Sequence, residues 1–182
     1  MPTRLFFALF PDARNAAKIA ARMPRTCREY GFLGRPIPVE RLHVTLQHID
    51  DYVDEPPDGL VEALRHAAES IAAKPFPVSF DRALTFAIRK PKRPYVLAGG
   101  EQRDLQAFHR KLGDATNRAW PDFKPRRSFT PHVSLIYDEK TVEEHRIKRP
   151  IDWTVREFVL VKSFLGQGRY SILGRWPLHD SS

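Results

Sequence analysis

The 182-residue chain has a single cysteine, Cys27, no apolar run longer than six residues and no low-complexity tract. One thiol excludes an intrachain disulfide and a cysteine-built zinc site, and it points to a reducing compartment. The longest apolar run, Leu5 to Phe10, falls far short of the roughly 20 residues a spanning helix needs. Pro11, Asp12 and Arg14 follow it at once, so it does not read as a secretory segment. The expectation is a cytoplasmic monomer with no membrane segment and enough length for a real core.

Positive charge and proline are abundant. Thirty Lys and Arg outweigh 22 Asp and Glu, giving a formal net charge of +8. That balance favours a polyanionic partner without identifying one. Sixteen prolines argue for many short elements and firm turns rather than a long helical bundle.

Arg4 to Phe10 reads as a buried strand stopped by Pro11. Asp12 is a candidate N-cap for a helix over Ala13 to Met23, which Pro24 is expected to end or kink. Leu42 to Ile49 alternates as a strand, and Pro57 to Ala73 carries a helical apolar stripe through Leu60, Leu64, Ala67, Ala68 and Ile71. Phe76 to Phe86 and Tyr95 to Leu97 read as strands around a basic loop containing Arg89, Lys90, Lys92 and Arg93. Leu105 to Trp120 reads as a helix and Phe129 to Tyr137 as a strand. Trp153 to Leu165 and Tyr170 to Trp176 read as antiparallel strands about Gly166-Gln167-Gly168. Strands without regular βαβ alternation indicate an α+β fold.

One pattern stands above the rest. His43-Val44-Thr45-Leu46 and His132-Val133-Ser134-Leu135 repeat the same tetrapeptide 89 positions apart, close to half the chain. Alternation along a strand puts His43 with Thr45 on one face and Val44 with Leu46 on the other; the second motif behaves alike. If the halves are related by a pseudo-twofold axis, two imidazoles and two hydroxyls confront one another across a cleft. That set suits phosphate-ester cleavage without a metal. In-line displacement at phosphorus needs a base on the attacking oxygen and an acid on the leaving one. Imidazoles with ordinary pKa values of about 6.5 fill both places near neutral pH. Hydroxyls donate to the non-bridging oxygens, where charge gathers.

These twin motifs resemble the signature of the two-histidine (2H) phosphoesterases. Arg4-Leu-Phe-Phe-Ala-Leu-Phe10, Gly168-Arg-Tyr170 and Arg175-Trp-Pro-Leu178 look like the LigT branch, the 2′-5′ RNA ligases or RNA 2′,3′-cyclic phosphodiesterases. The resemblance implies one domain over residues 1–182, built as two intertwined, pseudo-twofold lobes whose antiparallel sheets flank a central cleft. It implies hydrolysis of a 2′,3′-cyclic phosphate end of RNA or an oligonucleotide to a 2′-phosphomonoester, with reversible 2′-5′ ligation in the other direction and no metal or cofactor. Carried over, His43 is the general acid toward the departing 3′-oxygen, His132 the base that activates water, and Thr45 and Ser134 hold the phosphate. The chain departs from relatives at Gln47-His48-Ile49-Asp50, where several have an aromatic and a glycine. It departs again at Ile136-Tyr137, where some have an arginine.

Further candidates for RNA contact are Arg126, Arg127, Phe129 and His48. For the arginines the competing reading is a solvated loop, and for Phe129 it is core packing. Strand parity turns His48 toward the buried side with Val44 and Leu46 unless the strand ends or bulges. His66, His109 and His145 have no repeat partner and are read as surface residues. Two other readings keep the pocket: a phosphodiesterase for a small cyclic phosphate such as that of ADP-ribose, and an RNA-binding module without turnover. A metal-dependent hydrolase is disfavoured, because neither motif supplies the carboxylates or close histidine pairs a metal needs.

Overall fold

A computed structural model describes residues 1–179. Eight strands and three helices follow in the order β1 (Thr3–Leu9), α1 (Ala13–Tyr30), β2 (Val44–Tyr52), α2 (Leu60–Glu69), β3 (Phe76–Thr85), β4 (Arg93–Ala98), α3 (Arg103–Ala119), β5 (His132–Asp138), β6 (His145–Val155), β7 (Glu157–Phe164) and β8 (Arg169–Pro177). All strand pairs are antiparallel and form one sheet in the order β6-β3-β4-β5-β2-β1-β7-β8. The two motif strands, β2 and β5, are therefore central neighbours with three strands beyond each. They meet through the single register pair Val44–Val133.

The sheet is bent by its own connectivity. Arg156 alone links β6, at one edge, to β7, six strand positions away. A one-residue link holds the Cα atoms of Val155 and Glu157 within about 7.6 Å. Six spacings in a flat sheet measure about 29 Å. Only a strongly curled sheet satisfies both.

Strand β1 shows how the curl is filled. Leu5, Phe7 and Leu9 enter the large core with Ile19, Phe80, Leu112, Leu135 and Phe158. Phe6 and Ala8 point to the opposite face and pack with Val159 and Val161 in a second, small cluster. Both faces of β1 are thus buried, which accounts for its nearly unbroken apolar run.

Several sequence expectations change, among them the helix expected over Pro57 to Ala73, which spans only Leu60–Glu69. Helix α1 runs through Pro24 and stops at Gly31, whose φ of 65° is the left-handed conformation glycine adopts freely. Loss of one N–H at Pro24 is outweighed because Cys27 and Tyr30 extend the apolar stripe of Ala16, Ile19 and Met23 onto the core. The run 153–165 is two strands: Trp153 to Val155 end β6 beside β3, and β7 begins at Glu157 beside β1 and β8. The start of β6, His145 to Pro150, reads poorly as a strand because it is charged and contains proline, both of which suit an edge. Strand β5 begins at His132, so Phe129 lies outside it.

Phe7 is fully buried between Phe158 and Trp176. Phe7→Ala should lower unfolding free energy by about 3–5 kcal/mol, read from the shift of a urea transition at unchanged slope.

Candidate active site

Val44 and Val133 face each other and both enter the large core. One step along the ladder from that pair, His43 comes opposite Ser134 and Thr45 opposite His132. Side chains alternate, so all four project from the other face of the sheet. Ala8, opposite Thr45, belongs to the small cluster on that face.

Each imidazole is anchored in the same way. His43 Nδ1 donates to the Arg41 carbonyl at 2.7 Å, and His132 Nδ1 donates to the Thr130 carbonyl at 2.8 Å. A carbonyl only accepts, so Nδ1 carries the hydrogen and Nε2, directed away from the backbone, is left with its lone pair. Aromatic rings hold the planes. Phe6 stacks on His43 with centroids 5.0 Å apart, while Tyr170 and Phe10 approach it at 5.8 and 6.0 Å. Phe86 meets His132 edge-on at 4.7 Å.

Burial pushes His43 down to about 4; its bond to the Arg41 carbonyl opposes this, and charge on nearby His132 lowers it further. Burial also lowers His132, against the bond to the Thr130 carbonyl. Both rings therefore favour the neutral form at pH 7.

A cleft of about 520 Å³ opens at His132 and is lined by Thr45, His48, Lys124, Arg126 and Phe129. His48 reaches it through a bulge. Opposite β1, Thr45 pairs with Ala8, Gln47 with Phe7 and His48 with Phe6, leaving Leu46 without a partner. The extra residue shifts parity, so His48 shares the face of Thr45 while Gln47 turns inward to donate to the His109 carbonyl at 2.8 Å. His48 Nε2 donates to Asp51 at 2.9 Å. Two short bonds from Arg4, then the one from His48, hold the Asp51 carboxyl well below the usual carboxylate range.

The remaining candidates separate. Arg126 lines the cleft, whereas Arg127 is exposed outside its wall. Phe129 lies flat on His109, centroids 4.1 Å apart and planes within 5°. That contact corrects the reading of His109 as a surface residue: it is 3 % exposed and sits on the buried stripe of α3. His145 is also half-buried, its Nε2 3.2 Å from the Tyr30 hydroxyl. His66 is exposed. Sequence reasoning missed Tyr170, Phe10 and Arg41. They join His43 to a larger cleft of about 910 Å³, with the Arg41 guanidinium 4.8 Å from the Tyr170 ring centroid. The alternation Phe6, Ala8, Phe10 against Leu5, Phe7, Leu9 carried that signal. Among the described residues, no group of three or more His, Cys, Asp or Glu is placed to hold a metal ion. Nor is any helix long and apolar enough to cross a membrane.

The chain belongs to the 2′-5′ RNA ligase superfamily, whose sequence profile matches residues 10–165. Among solved structures it is similar to E. coli LigT complexed with ATP, at 26% identity and a TM-score of 0.76, covering 99% of this chain and 100% of that one. LigT complexed with NADP+ gives 27% and 0.76, over 98% and 99% of the two chains. A protein from Thermus thermophilus shares the fold at 21% identity and a TM-score of 0.74, over 96% and 97%. No curated protein matches the chain. The α+β, LigT-like architecture expected from the twin motifs is the one observed, with its strands joined in one sheet.

The tautomers and pKa directions are measurable together. Long-range ¹H–¹⁵N spectra should show Nδ1–H, Nε2-unprotonated rings for both His43 and His132 at pH 7. Both should titrate below pH 6.5 and His43 near 4, so each gains its proton only as pH falls.

Proposed function

We propose that this protein hydrolyses the 2′,3′-cyclic phosphate end of RNA or an oligonucleotide to a 2′-phosphomonoester, by two-histidine acid–base catalysis without a metal. One observation carries the reading: two imidazoles anchored identically through Nδ1, each across the β2–β5 seam from the other motif's hydroxyl. Membership of the superfamily supports it, as does a relative, LigT, crystallised with ATP, 3′-AMP and NADP+, all phosphate-bearing nucleotides.

In this reading Thr45 and Ser134 donate to the non-bridging oxygens of the cyclic phosphate. His132, which borders the open cleft, accepts a proton at Nε2 from an incoming water as its oxygen bonds to phosphorus. The bond from phosphorus to the 3′-oxygen breaks on the opposite side, and His43 Nε2 delivers a proton to that oxygen. The 2′-ester bond survives. The two roles suit the two environments. His43 is packed among the rings of Phe6, Phe10 and Tyr170, whereas His132 borders the open cleft from which water can enter. The phosphodiester anion favours the donor role, because a negative charge close to His43 raises its pKa and lets it hold the proton it donates. Ligation of a 2′-hydroxyl runs the same steps backward, and water at high concentration favours hydrolysis. The two motif-bearing halves act as lobes of one domain over residues 1–182.

A small cyclic phosphate such as that of ADP-ribose is the second substrate reading, and the LigT complex with NADP+, itself a dinucleotide, favours it.

An oligoribonucleotide with a cyclic phosphate end should be converted to its 2′-phosphate in excess EDTA. His43→Ala and His132→Ala should each lower kcat by about two orders of magnitude or more, since each removes one proton transfer. Binding without turnover would favour the RNA-binding module, and loss of activity in EDTA would favour a metal enzyme.

A further inference from the structure

Phe86, whose ring meets His132 at 4.7 Å, is the first residue of the connection from β3 to β4. Its N–H donates to the Pro94 carbonyl at 3.0 Å, closing the loop at its base. Residues 87–93 read Ala-Ile-Arg-Lys-Pro-Lys-Arg, four cations and no acid. Arg93 is half-buried in β4 opposite Asp138, but Arg89, Lys90 and Lys92 are exposed. Among the described residues, none of these three is in an ion pair.

Arg126, on the wall of the His132 cleft, is the nearest comparable cation and stands alone there, while four others near the site are committed elsewhere. Lys124 donates to the Pro121 carbonyl, Arg175 pairs with Glu157, Arg41 covers Tyr170 and Arg169 covers Phe164. The larger cleft also carries Asp12, Glu40 and Glu157, which offset most of its arginines. The β3–β4 loop is therefore a dense, uncompensated positive patch whose base touches a motif histidine. Arg89 is three residues from Phe86, so its Cα lies within about 11 Å of that base. Pro91 limits the loop's freedom, so less entropy is lost when it holds a ligand.

We propose that Arg89, Lys90 and Lys92 form a strand-binding patch that takes the backbone phosphates of single-stranded RNA adjoining the cyclic end held between the two histidines. The assignment of the end rests on the function proposed above. The patch makes the enzyme prefer an oligonucleotide to a mononucleotide, whose single phosphate does not reach the loop. Electrostatic contact of this kind carries no base preference and weakens with salt.

The test compares wild type with the triple variant Arg89→Ala, Lys90→Ala, Lys92→Ala. Fluorescence anisotropy with a labelled oligoribonucleotide ending in a 3′-hydroxyl reads binding independently of chemistry. The variant should bind at least about tenfold more weakly at low salt. Its log Kd against log salt should flatten by about 2, at about 0.7 per lost phosphate contact on a single strand. The ratio of kcat/KM for a cyclic-phosphate oligonucleotide to that for a 2′,3′-cyclic mononucleotide should fall alongside. Unchanged affinity and salt slope would overturn the proposal, and would leave an acidic protein surface as the partner to seek. If wild type hydrolyses neither cyclic substrate while the binding difference stands, the catalytic reading fails and the strand patch survives.

Discussion

A single cross-strand contact, Val44 against Val133, determines where the chemistry-bearing groups fall. The two valines anchor their strands in the core, and alternation then sets His43, Thr45, His132 and Ser134 on the other face. A one-residue slip of β5 against β2 would move that strand's histidine and serine to the core side and expose Val133 and Leu135. Burial of the valines and leucines resists the slip, so hydrophobic free energy maintains a polar arrangement that has no strong contacts of its own. The curl imposed at Arg156 bends the surrounding sheet about this seam.

The polar face is sparing in its bonds. Each imidazole spends Nδ1 on a carbonyl two residues earlier in the chain, which fixes the tautomer and the ring plane together. Burial beside their aromatic neighbours depresses both pKa values. Both rings therefore favour the neutral form near pH 7. In the proposed reaction the negative charge of the substrate returns a proton to His43. The substrate, on this account, helps to set the protonation state its cleavage requires.

Much of this was legible in the sequence because it is local. The alternation within each His-Val-(Thr or Ser)-Leu motif sets its faces, and Gly166 and Gly168, both at positive φ, mark the turn between β7 and β8. What was hidden is long-range. The bulge at Leu46 that turns His48 into the cleft is defined only by pairing with β1. The end of α1 depends on Cys27 and Tyr30 finding the core beyond Pro24. The break at Arg156 separates strands that lie six positions apart in the sheet. His109 was readable after all: with Leu105, Phe108, Leu112 and Thr116 it completes one helical face, and that spacing marks it as buried.

In the proposed reaction displacement is in line at one phosphorus, with water entering on the side of His132 and the 3′-oxygen departing on the side of His43. The stereochemical course reads this directly. A 2′,3′-cyclic phosphorothioate of one configuration, hydrolysed in isotopically labelled water, should give a 2′-phosphorothioate with inversion at phosphorus. Retention would require two displacements through a phosphorylated side chain and would contradict the roles given to both imidazoles.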